Sequence, residues 1–233
     1  MLFVFDLFGP LKALYGLSLI HISLAKLLVH FYDVTGGAVK IGGQDLRDMS
    51  IEALNREISY VSQEQFLFNM SLMENIRLGK LDATDDEVLA AAERAQCGEF
   101  LARLENGIHT MAGDGGRQLS GGERQRISLA RAILKNAPVV VLDEATAFMD
   151  PENEEKMNAA IAEVIRGKTV IVIAHRLYSI VGADQICVLH NGRLAAAGTH
   201  EELLGCCPEY QKLWAAAEGS AKWKVSTQKE VPA

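Results

Sequence analysis

The chain has 233 residues, 49% hydrophobic and 23% charged, the composition of an ordinary globular protein able to bury a sizeable core. A formal net charge of −7 argues against a general nucleic-acid or anionic-membrane binder. The four cysteines, Cys97, Cys187, Cys206 and Cys207, contain no C-x-x-C pair, so the thiols read as reduced cytosolic ones rather than a disulfide framework or zinc site.

Residues 1–22 are apolar but are interrupted by Asp6, Gly9-Pro10 and Lys12. That falls short of the ~18 or more continuous apolar residues of a membrane helix. A basic start and a small-residue cleavage site are both lacking, so no signal peptide is expected. Leu24 to Leu28 reads as helix. Val39 to Ile41 reads as a short strand, with Gly42-Gly43 as the turn after it. Ser50 is placed to cap a short helix through Glu57, which leads into a strand from Ile58 to Val61.

From about Ser71 to Leu134 the pattern becomes helical, with apolar residues at helical spacing between Asp85 and Ala95. Gly107 and the run Gly113-Asp114-Gly115-Gly116 punctuate it, and Ser120 caps a helix ending near Lys135. Strand and helix then alternate. Val139 to Leu142 is a strand, Pro151 to Ile165 a helix with proline in its first turn, and Thr169 to Ala174 a strand. Two further strands, Gln185 to Leu189 and Arg193 to Ala197, are joined by the Asn191-Gly192 turn. Thr199 and Glu202 form a capping box for the next helix. Such alternation predicts an α/β domain with a mainly parallel sheet, into which the helical stretch is inserted. The tail from 226 to 233 reads as disordered.

Two features carry chemistry. A serine and two glycines at a helix start, Ser120-Gly121-Gly122, form a nest of backbone N–H groups suited to phosphate. An acidic pair ending a buried strand, Asp143-Glu144, suits magnesium and a catalytic water, and a carboxylate buried there needs a charge partner. The first lies within Leu119-Ser120-Gly121-Gly122-Glu123-Arg124-Gln125-Arg126. Together they resemble the signature and Walker B motifs of ABC-transporter ATPases, a resemblance that covers roughly Ser23 to Trp214.

The resemblance implies a P-loop NTPase-like (RecA-like) α/β fold spanning 23–225, with a helical subdomain at about 71–135. It implies ATP and Mg2+ as cofactors. Asp143 would hold the metal, with the Q-loop Gln63 ligating it or orienting water, and Glu144 would act as general base. His175, in Ala174-His175-Arg176-Leu177, would contact the γ-phosphate. Ser120, Gly121 and Gly122 would close over ATP held by a partner, and Asp150 would occupy the D-loop. Glu123 stands where many members have glutamine. Ala147 stands where many have the D-loop serine. The implied partners are a second ABC ATPase domain, head to tail in a homo- or heterodimer, and a transmembrane transport domain; no nucleic acid is implied. Gly113 to Gly116 and the segment from Phe66 to Asn75 resemble the exporter-type branch, in which such segments touch the membrane domain. Tyr60 and Phe66 otherwise read as packing aromatics. The expected location is the cytoplasmic face of a membrane.

One family motif has no counterpart. A phosphate loop needs G-x-x-x-x-G-K-[ST] between a strand and a helix. Aligned on Leu24 to Leu28, the chain has Ile20, His21 and Ile22 where Gly, Lys and Ser belong, and Lys26 comes too late. Leu17 to Ser23 resembles translated adapter sequence. Residues 1–22 are therefore expected to be a non-family segment, with the N-terminal β part and Walker A missing through truncation, and ATP binding by this chain is expected to be impaired. Two alternatives remain: a degenerate half-site that lends its signature motif to a partner's ATP, and an ABC ATPase of DNA repair. The second needs long coiled-coil insertions for which the spacing leaves no room.

Overall fold

The computed structural model describes residues 12–15, 19–143, 151–174 and 177–227, with backbone alone at 12–15, 19–23, 151–153 and 219–227. The strands in chain order are β1 (Lys12–Tyr15), β2 (Lys40–Ile41), β3 (Gln44–Asp45), β4 (Ile58–Val61), β5 (Val139–Asp143), β6 (Thr169–Ile173), β7 (Gln185–His190) and β8 (Arg193–Gly198). The helices are α1 (Leu19–Leu28), α2 (Ile51–Glu57), α3 (Leu72–Arg77), α4 (Asp85–Arg94) and α5 (Gly98–Arg103). They continue with α6 (Gly121–Lys135), α7 (Pro151–Ile165), α8 (His200–Cys206) and α9 (Pro208–Thr227).

Six strands form one sheet in the order β4-β5-β6-β1-β7-β8, and β2 and β3 pair separately. All neighbours in the large sheet are parallel except β7 and β8, which run antiparallel through the Asn191-Gly192 turn. Both turn residues have positive φ, 49° and 73°, as a two-residue hairpin with matching twist requires.

Every residue of β5 is buried because both faces of the sheet are covered. Val139 and Val141 point into a core made with Ala25 and Leu28 of α1 and with Ile171 and Ile173. Val140 and Leu142 point the other way, into a core shared with Leu72, Val88, Ile127, Leu129 and Met157. The helical insertion α3–α6 therefore rests on one sheet face, between β4 and β5 in sequence. A third cluster packs α8 and α9 against β7 around Ile186, Val188, Leu203 and Tyr210.

Caps fall where the residue types predict them. Ser50 accepts from the Ala53 amide, and capping boxes close at Thr84/Glu87, Ser120/Glu123 and Thr199/Glu202. Differences gather at the termini. Within residues 1–22, expected to be a non-family segment, the backbone of Lys12–Tyr15 forms β1, paired on both sides with β6 and β7. Helix α1 begins at Leu19, so Ile20, His21 and Ile22 are helical. At the other end α9 runs to Thr227, two residues into the expected tail. Among the described residues no helix is long and apolar enough to cross a membrane.

Candidate functional site

In open parallel sheets, ligands bind beyond the carboxyl ends of the strands. Strands β4 and β5 are paired with Val61 opposite Leu142, so Asp143 ends β5 beside the point where β4 runs out towards Gln63. Asp143 is 7% exposed and Gln63 is exposed. The register leaves Asp143 one residue beyond Leu142, and Gln63 two residues beyond its partner Val61. Glu144, Asp150 and His175, which follow β5 and β6 in sequence, lie outside the described residues.

Among the described residues the buried carboxylate has a neutral partner: the Tyr60 hydroxyl donates to Asp143 Oδ2 at 2.8 Å. Burial, and then the Asp143 carboxylate, push the phenol well above its ordinary value, so it stays protonated and remains a donor. Phe31 meets the Tyr60 ring edge-on with centroids 6.1 Å apart. Tyr60 is therefore more than a packing aromatic. The signal available in sequence was its place one strand over from Asp143.

Ser120, Gly121 and Gly122 lie at the far end of the helical layer. Ser120 Oγ accepts from the Glu123 amide at 3.3 Å, and Glu123 Oε2 accepts from the Ser120 amide at 2.8 Å. This box leaves the Gly121 and Gly122 amides, the first two of the helix, without an intrahelical acceptor. The Glu123 charge, unfavourable near an anion, is matched by Arg103 NH2 at 3.2 Å from Oε1. Ser120 and Gly121 face solvent. The opposite end of α6 adjoins β4, where Tyr60, Phe66, Phe68, Leu78, Arg131 and Lys135 line a cavity of about 360 Å³. The cap is roughly 22 Å from Lys135 along the helix, at 1.5 Å per residue. The nest is thus exposed at one end of α6, remote from the end that adjoins β4.

Gly116 has φ 75°, and a Cβ there would lie 2.8 Å from Arg124 Cδ and 3.0 Å from Leu67 Cδ1. Only glycine lets the 113–116 turn deliver the chain to the cap, where Arg124 NH1 donates to the Leu119 carbonyl at 2.6 Å. Phe66 is not packed away as its composition class suggests; it is 59% exposed and stands edge-on to the exposed Phe68.

A family model described as ABC transporter matches residues 23–147. The chain belongs to the ABC transporter family. An ATP-dependent lipid A-core flippase of Methylobacillus flagellatus is 47% identical over 82% of this chain and 33% of its own length. A beta-(1→2)glucan export ATP-binding/permease protein of Rhodopseudomonas palustris is 48% identical over 84% of this chain and 33% of its own. A mycobactin import ATP-binding/permease protein of Mycobacterium tuberculosis is 46% identical over 85% and 23%. A solved bacterial Atm1-family ABC exporter with ATP bound superposes with TM-score 0.82 at 38% identity, over 89% of this chain and 37% of that one. The chain spans about a third of the length of most of these relatives. That solved exporter holds ATP.

The residues fit that chemistry unevenly. Asp143 and Gln63 offer hard oxygen donors at a strand end, the set magnesium takes while keeping waters. Among the described residues no group of three or more His, Cys, Asp or Glu side chains gathers as a metal cage. The phosphate-loop half fits poorly. Only residues 16–18 separate β1 from α1, and Lys26 lies two turns into that helix. The sequence's one Gly-Lys-Thr triplet, Gly167-Lys168-Thr169, turns into strand β6 and not into a helix.

Proposed function

We propose that this chain is the ATP-hydrolysing module of an ABC transporter, working at the cytoplasmic face of a membrane beside a transmembrane domain and a second ATPase domain. The observation that carries this reading is the pairing of two features: a buried Asp143 at the strand end next to Gln63, and a capped Ser120 nest that faces outward. Two copies, or two related domains, set head to tail would bring the nest of each to the other's strand ends.

In that arrangement Asp143 and Gln63 would hold magnesium. When bound, the metal neutralises charge on the transferred phosphoryl group. Glu144 takes a proton from the attacking water, and His175 contacts the γ-phosphate. The Ser120 hydroxyl and the Gly121 and Gly122 amides donate to the phosphate held by the partner, and Asp150 lies between the two sites. The relatives are named a lipid A-core flippase, a glucan exporter and a mycobactin importer, so cargo and direction belong to the membrane part.

A second reading is favoured by the β1–α1 junction: this chain binds Mg-ATP weakly and serves chiefly as the half that donates the nest. The discriminating experiment mixes the chain with an intact exporter-type ATPase domain and follows phosphate release. The mixture is expected to exceed the sum of its parts, and Ser120→Arg in this chain to remove the gain. No gain on mixing, or a gain indifferent to Ser120→Arg, contradicts it.

A further inference from the structure

Helix α1 ends in a way its sequence does not favour. The Phe31 amide donates to the Lys26 carbonyl at 2.7 Å and the His30 amide to the Leu27 carbonyl at 3.2 Å, the two bonds of a Schellman ending. That ending calls for glycine at its left-handed position, yet His30 stands there with φ 58°. The His30 Nε2 donates to Asp33 Oδ1 at 2.8 Å. A non-glycine residue in this conformation persists where its surroundings over-determine it. Its product here is the placement of the next residue. The Phe31 ring stands edge-on to Tyr60, with centroids 6.1 Å apart and planes at 89°. Burial does not hold it there, because Phe31 is 61% exposed.

On β4, Tyr60 lies opposite Val141, and Asp143, two residues further along β5, shares their face of the sheet. Helix α1 covers that face, with Ala25 and Leu28 buried against Val139 and Val141. Among the described residues β4 is an edge strand, so β5 is its one neighbour in the sheet. An edge-to-face pair favours one ring orientation. The oriented Tyr60 ring sets its hydroxyl 2.8 Å from Asp143 Oδ2. A line of contacts thus runs from the end of α1 through Phe31 and Tyr60 to the buried carboxylate.

We propose that Phe31 is a positioning residue, acting through Tyr60 to hold the Asp143 carboxylate in one orientation for a divalent cation. This rests on the reading of Asp143 as the metal ligand. A ligating carboxylate depends on the groups that hydrogen-bond it. Here that group is a phenol, and Phe31 holds the phenol.

The test uses the full chain without nucleotide and takes Mn2+ as the probe, with free and bound metal separated by electron paramagnetic resonance. Asp143→Asn is expected to remove the tightest site. Tyr60→Phe keeps the ring, loses the hydroxyl and is expected to weaken Mn2+ about tenfold. Phe31→Ala is expected to weaken it about threefold or more, and Phe31→Tyr, which keeps an aromatic edge, to restore the affinity of the parent. Added to Tyr60→Phe, Phe31→Ala has no further effect, because the ring acts only through the hydroxyl. If Phe31→Ala does not fold, Phe31→Leu, apolar but without the aromatic edge, decides. Parent-like affinity in the non-aromatic variant, no restoration by Phe31→Tyr, or an equal loss on both backgrounds overturns the proposal. In those cases Asp143→Asn still removes the site and the metal reading stands. If Asp143→Asn binds Mn2+ as the parent does, the metal reading fails and the proposal with it.

Discussion

Tyr60 and Asp143, 83 residues apart in sequence, are joined by one hydrogen bond of 2.8 Å between neighbouring strands. It supplies one donor to Oδ2 of a carboxylate that is 7% exposed at the end of β5. A neutral donor suits such a site. A fixed cation would compete with the metal for the same charge, whereas a phenol orients the carboxylate and leaves its charge intact.

Tyr60→Phe is expected to cost about 1–2 kcal/mol in urea unfolding, because the bond is to an ionised acceptor that is then left underpaired. The phenol titrates higher in the folded chain than in the unfolded one, so the unfolded state loses its proton first. The bond's contribution is complete below about pH 10 and shrinks as pH rises beyond it. The stability gap between parent and variant should therefore narrow in alkali. A gap that is constant or widens between neutral pH and alkali would count against the assignment.

Gly79→Ala tests the contact between the end of α3 and α6. The new methyl would meet backbone, the Arg131 carbonyl oxygen, which has no rotamer to escape into. Overpacking of this kind costs about 1–3 kcal/mol. Gly182 is the control, because an added methyl there would meet nothing within 4 Å and its φ is not positive. Its alanine variant should stay within about 0.5 kcal/mol of the parent in thermal unfolding.

Thiol chemistry reports on the packing of three separate regions. Cys97, Cys187 and Cys207 are buried, and Cys206 is exposed. Burial pushes the Cys97 thiol up to about 12, which removes the reactive thiolate at neutral pH. Ellman's reagent should find one fast thiol in the native chain, abolished by Cys206→Ser, and the rest only on unfolding. Two or more fast thiols would mean that the cores around α5, β7 or α8 are not closed as described.

What could be read in advance follows from how local each signal is. The apolar run of β5, the serine cap at Ser120, the Thr199/Glu202 box and the Asn191-Gly192 turn are each decided within a few residues, and the sequence states them openly. Strand β1 is not of that kind. Lys12-Ala13-Leu14-Tyr15 has neither length nor alternation, and only parallel pairing with β6 and β7, some 160 residues on, makes it a strand. Separation in sequence likewise hid the bond of Tyr60 to Asp143, 83 residues on, and the hold of Arg131 on Asn75, 56 residues away. Phe66 departs from expectation for another reason: aromatic composition predicts average burial, not the direction one ring takes.

Equilibrium titration of Mg-ATP into the purified chain tests the central claim most directly. The chain offers an outward nest and a Walker B-like strand end but no phosphate-loop lysine between β1 and α1. No saturation is expected in the low-micromolar range, with hydrolysis emerging only beside an intact partner domain. Low-micromolar binding by the chain alone would contradict this and would mean that other residues cradle the phosphates.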